Sequence, residues 1–151
     1  MDEKKGVVVE LKRSMDGSQS FSTGAKSLPE MYFDLGTLSE EEKAGEHLGA
    51  RILMCAALSC YTNTFTNGLK AAGAKVRSIS ASATIEKEKD EILRTRYMQM
   101  HLHIDIDMDE SDRAVFERVR ANMEQGSLLT YSLEEGIEMD YNVRLVSGDQ
   151  V

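Results

Sequence analysis

The chain has 151 residues, close to the usual size of one domain, and no shift in composition divides it, so a single domain over residues 1–151 is expected. A formal charge of -8 and a pI near 4.9 argue against binding to nucleic acid or to an anionic membrane surface, whose phosphates would be repelled. Small molecules and proteins are the expected partners. The first residues, Met1 to Lys5, are polar rather than a charged-then-apolar leader, which predicts a cytoplasmic protein whose two cysteines are reduced thiols.

Val7, Val9 and Leu11 alternate with Val8, Glu10 and Lys12 over Gly6 to Ser14, the period of a half-buried strand. Asp16-Gly17 supplies a turn, Ser18 to Lys26 reads as the returning strand, and Met31 to Leu35 as a short third strand ended by Gly36. Ser39 and Glu42 form a capping box, so a helix starts there and runs towards Ala72, with a break near Gly45 or Gly49 and its stop at Gly73. Within it, Ile52 to Cys60 has only Ser59 as a polar side chain apart from the thiols. That stretch is too short for a bilayer, which takes roughly 20 residues, so it is expected to be buried centrally.

From Ala74 the period changes to two. Ile79, Ala81, Ala83 and Ile85 share one face, Glu86 to Asp90 reads as a charged connection, and Met98, Met100, Leu102, Ile104, Ile106 and Met108 share one face of a longer strand. Asp109 or Ser111 caps a helix through Gln125 with the stripe Val115, Phe116, Val119 and Met123, closed by Gly126. A short helical or turn segment, Ser127 to Glu135, precedes a last strand alternating Ile137, Met139, Tyr141, Val143 and Leu145. This order predicts an α+β fold. One small sheet cannot cover a helix that is apolar all round, so a homodimer with the central helices inside is expected.

Cys55 and Cys60 are separated by about 140° of helical rotation and about 7.5 Å of rise, which forbids a disulfide between them while the helix persists. A thiol attacks as thiolate and needs a nearby cation to ionise near neutral pH; without one, Cys60 is a small buried hydrophobe. His101, His103, Asp105 and Asp107 alternate on the polar face of the long strand, where neighbours can share a metal. Alternating polar residues are also what any one-sided strand shows, so no metal is expected. His47, near the helix start, is read as a surface or interface side chain. Met98, Met100 and Met108 are read as core, with the thioether's flexibility also suited to an apolar ligand.

The run Ile52 to Cys60, followed by the hairpin, the amphipathic helix and the final strand, resembles the OsmC/Ohr family of osmotically inducible and organic hydroperoxide resistance proteins. The resemblance implies antiparallel sheets wrapped around buried central helices in an intertwined homodimer with sites at the subunit interface. It implies reduction of organic hydroperoxides with Cys60 as the attacking cysteine and Arg13, from the N-terminal strands, as the catalytic arginine. Arg51 is a second candidate for the positive charge. Three positions depart from the family's pattern: Ser127 stands where its second cysteine sits in a Cys-Pro-x-Ser turn, Ala50 replaces its glutamate, and Gly49-Ala50 replaces its Pro-Glu helix entry. The enzyme reading is therefore a one-cysteine peroxidase that needs no cofactor but an external thiol to finish its cycle. The alternative is a non-catalytic dimer binding a small apolar molecule at the interface.

Overall fold

The structure, a computed structural model, describes residues 6–148. Its contacts divide the chain after His47 into two compact units.

The first unit holds an antiparallel meander of β1 (Glu10–Arg13), β2 (Ser18–Ser22) and β3 (Glu30–Asp34), in that order. The Asp16-Gly17 turn forms as the sequence suggests, with the Asp16 carboxylate accepting from the Ser18 N–H at 2.9 Å. The first two strands are shorter than the alternation predicts. Pairing of β1 with β2 ends at Glu10 with Ser22, while β2 keeps its bond to the β3 side one residue further, the Thr23 N–H donating to the Pro29 carbonyl at 3.0 Å; Val7, Val8 and Val9 are left outside the sheet and exposed. The capping box at Ser39 opens α1 (Glu40–Glu46), the Glu42 N–H donating to Ser39 Oγ at 3.1 Å and the Ser39 N–H to the Glu42 carboxylate at 3.2 Å. The expected helix break falls at His47, between the two glycines, where φ is 44° and ψ is 42°.

The second unit is built on α2 (Leu48–Ala71), stopped by Gly73 at φ 85°. A hairpin follows, β4 (Val76–Lys89) and β5 (Thr95–Met108), antiparallel with Ala81 opposite Ile104. Glu86 to Lys89 belong to β4 rather than to a connection. The turn closes later: the Asp90 N–H donates to the Arg94 carbonyl at 2.8 Å while its carboxylate accepts from the N–H groups of Ile92 and Arg94.

The predicted helix from Asp109 to Gln125 is α3 (Arg113–Asn122) with a 3-10 turn at either end. Asp109 does not cap it, because its carboxylate is taken by Arg77 Nη1 at 2.5 Å. A short α4 (Leu128–Leu133) then leads to β6 (Glu138–Val146). Here the expectation of antiparallel sheets is corrected: β6 lies parallel to β5, so the sheet β4-β5-β6 is mixed. The intervening helices supply the long crossover that a parallel neighbour requires.

The dry face of β5 carries Met100, Leu102, Ile104, Ile106 and Met108, none more than 1% exposed. Each such side chain contributes roughly 1.5–3 kcal/mol on burial. Ala57, Tyr61, Phe65 and Leu69 of α2, Phe116 and Val119 of α3, and Val143 and Leu145 of β6 complete this core. Burial of α2 is one-sided: Cys55 and Ala56 are exposed and Ile52, Leu53 and Met54 half-buried, so the fully buried helix expected from its composition is not reached within one chain. No helix among the described residues is long and apolar enough to cross a membrane.

Candidate functional site

Cys60 sits on the flank of α2. Tyr61, one step of 100° round the helix, points into the core with 1% exposure, and this leaves the Cys60 thiol half-buried at the border of the packed side. It also marks a change in the helix: before it come Ala56, Ala57 and Leu58, and after it Thr62, Asn63 and Thr64. The threonines bond their own helix, Thr64 Oγ1 donating to the Cys60 carbonyl at 3.0 Å and Thr62 Oγ1 to the Leu58 carbonyl at 2.7 Å. Cys55 is exposed, and both thiols are free.

Arg13 lies at the end of β1 in the first unit, exposed to solvent, opposite Gln19 of β2. Arg51 is on α2 itself, and helical geometry removes it as a partner for Cys60 in the same chain. Nine residues rotate it about 180° to the other side of the helix and displace it by about 13.5 Å. Ala50, where the resembled family has a glutamate, is buried at 6% exposure. His47 is the left-handed residue that separates α1 from α2.

Ser127 is buried, 3% exposed, and caps α4. Its Oγ accepts from the Thr130 N–H at 3.3 Å, and Thr130 Oγ1 accepts from the Ser127 N–H at 2.8 Å. Gly126 at φ 76° makes room for this: a Cβ there would lie 2.6 Å from the Tyr141 hydroxyl and 2.7 Å from Thr130 Oγ1. The Tyr141 hydroxyl donates to the Glu134 carboxylate at 2.9 Å, and its ring stacks on that of Tyr61 with centroids 4.5 Å apart and planes at 8°. Burial pushes the Tyr141 hydroxyl up to about 12 and raises that of Tyr61 as well, so both rings are neutral at physiological pH. Sequence reasoning assigned Tyr141 only to an alternating strand face and passed over Tyr61, Thr130 and Glu134. The one available signal was the presence of tyrosines on two segments otherwise made of smaller apolar residues.

The polar face of β5 is a set of cross-strand ion pairs. His101 Nδ1 lies 3.0 Å from Asp140 of β6 and its Nε2 3.7 Å from Glu86 of β4. Arg144 grips Asp105 with two hydrogen bonds at 2.8 and 2.9 Å, and Arg77 binds Asp107 at 2.8 Å. These partners tie His101, Asp105 and Asp107 to the neighbouring strands while His103 lies 3.7 Å from Asp105 of its own strand, and no group of three or more His, Cys, Asp or Glu among the described residues is gathered for a metal. Asp140, hydrogen-bonded to His101, raises the histidine's pKa, and the Arg144 guanidinium holds the Asp105 carboxyl below its ordinary value.

Among curated proteins none matches the sequence. Solved structures do. A hypothetical protein from Aquifex aeolicus is 14% identical, with 95% of this chain and 98% of that one aligned at a TM-score of 0.66. An OsmC-like protein from Mycoplasma pneumoniae is 13% identical over 95% and 99% at 0.65. The organic hydroperoxide resistance protein OsmC of Legionella pneumophila is 11% identical over 94% and 98%, also at 0.65. At such identities these likenesses establish the α+β fold. The family itself follows from the sequence, since the model for OsmC-like proteins matches residues 50–142, more than half of the chain and the segment from α2 into β6: the chain belongs to the OsmC-like protein family.

Proposed function

We propose that this chain is a thiol peroxidase that reduces organic hydroperoxides through Cys60. The reading is carried by the position of Cys60: inside the family match, at the end of the apolar half of α2, and half-buried where Cys55 is exposed. Structural neighbours that include organic hydroperoxide resistance proteins support it. The Cys60 thiolate attacks the distal peroxide oxygen, the O–O bond breaks, and an alcohol leaves after taking up a proton. Cys60 is left as a sulfenic acid. Ser127, a buried hydroxyl, cannot condense with it, so a small external thiol attacks the sulfur, water leaves, and a second thiol releases Cys60 from the mixed disulfide.

Arg13 is the cation proposed to stabilise the thiolate. A cytoplasmic homodimer is the proposed working form; its dimeric part is supported by half-buried Ile52 and exposed Cys55 and Ala56 on the side of α2 away from its packed face. A non-catalytic binder of a small apolar molecule is the second reading, favoured by the capping role of Ser127 and by the buried methyl of Ala50. Consumption of cumene hydroperoxide decides between the two. The peroxidase reading requires turnover that depends on added dithiothreitol, is lost in Cys60→Ser, falls in Arg13→Ala and survives in Cys55→Ala. No consumption by the wild type would leave the binding reading.

A further inference from the structure

A cavity of about 230 Å³ opens in the second unit where α3, the turn after it, α2 and β6 meet. Its walls are the rings of Tyr61 and Tyr141 with Met139 and Val143, and its rim is charged, with Arg120, Glu124 and Asp140. The tyrosine hydroxyls are committed elsewhere, Tyr61 to the Met123 carbonyl at 3.4 Å and Tyr141 to Glu134 at 2.9 Å. Tyr61, 1% exposed and stacked on Tyr141, backs the wall, and the aromatic surface offered to the cavity is that of half-buried Tyr141. On the rim, Arg120 is neutralised by Glu117, to which its Nε and Nη2 donate at 2.9 and 2.6 Å. Asp140 shares its charge with His101. Glu124 makes no ion pair among the described residues.

We infer that this cavity is a binding site for a small organic cation, an ammonium on a short apolar or aromatic stem. The stem lies against Met139, Val143 and the tyrosine pair. The ammonium sits by Glu124, where the face of the half-buried Tyr141 ring that is not stacked on Tyr61 adds to the attraction. The net charge of -8 draws cations to the same surface. Nothing in this inference uses Cys60, and the site stands whether or not the chain is a peroxidase.

Isothermal titration of the full chain at fixed ionic strength tests it with three probes of one shape: benzylammonium, benzyl alcohol and benzoate. Benzylammonium should bind saturably and at least about threefold more tightly than either of the others, the size expected of one solvent-accessible ion pair. Glu124→Gln, on the exposed rim, should bring benzylammonium to the affinity of the alcohol. Tyr141→Phe should keep binding and Tyr141→Leu should weaken it by about threefold or more. Cys60→Ser should bind as the wild type does. Absence of saturable binding, equal affinity for all three probes, or an unchanged affinity in Glu124→Gln would overturn the assignment.

Discussion

Replacing Phe65 with Ala removes the side chain on which α2 and α3 are joined. Phe65 has no solvent exposure, and its ring lies 6.2 Å from that of Tyr61 and 5.8 Å from that of Phe116. An aromatic of this size buries about 200 Å², which at about 25 cal/mol per Å² gives about 5 kcal/mol as an upper figure. Phe→Ala substitutions in cores cost about 3–5 kcal/mol, the cavity term included. A chain of this length is stabilised by about 8–20 kcal/mol in all, so the variant should still fold. Its urea midpoint should drop with the slope unchanged, and Tm should fall by about 6–20 °C. Phe65→Leu should cost less than half as much, since most of the volume is kept. If Phe65→Ala moved Tm by only a degree or two, the packing of α2 on α3 described above would be wrong.

Stability should also respond to pH through His101. Its folded pKa is raised above 6.5 by Asp140, so its contribution is complete below pH 6.5 and is lost as pH rises through the raised value. The urea midpoint should therefore decline from pH 6 to pH 8 in the wild type and decline less in His101→Gln, and equal declines would refute the pairing. Asp105 acts at the other end of the scale: its folded pKa lies below 3.8 because of Arg144, so its contribution is present above that value and goes as pH falls below it, a loss that Arg144→Gln should reduce in an acid titration of the fold. Ser127→Ala removes the cap of α4 from a buried position and should cost about 1–2 kcal/mol in chemical denaturation, with Ser127→Thr costing less. In solution, light scattering should give about twice the 16.8 kDa chain mass; a monomer mass would contradict the proposed dimer.

Much of this architecture was legible because the residues obey one period at a time. The five buried residues of β5 alternate without interruption, and Ser39 with Glu42 fixes the start of α1 through a local pair of hydrogen bonds. Boundaries set by tertiary partners were less visible. Val7 and Val9 alternate like strand residues, yet β1 ends where its pairing with β2 ends, at Glu10 opposite Ser22, and an alternation does not say where a partner strand stops. The charges of Glu86 to Lys89 suggested a loop, but a hairpin arm tolerates charge as long as its backbone is paired with β5. The parallel setting of β6 has no local signature at all. At the site, the capping pattern of Ser127 and Thr130 is written in the sequence, whereas the stack of Tyr61 on Tyr141 joins residues far apart in the chain and needs the fold to bring them together.

The central claim is that Cys60, rather than Cys55, is attacked by an organic hydroperoxide. Treating the protein with a stoichiometric amount of tert-butyl hydroperoxide at neutral pH in the presence of dimedone, then mapping the adduct by mass spectrometry, tests it directly. The account predicts one dimedone adduct per chain, on Cys60, that is absent without peroxide and absent in Cys60→Ser. An adduct confined to exposed Cys55, or no adduct on either thiol, would contradict it.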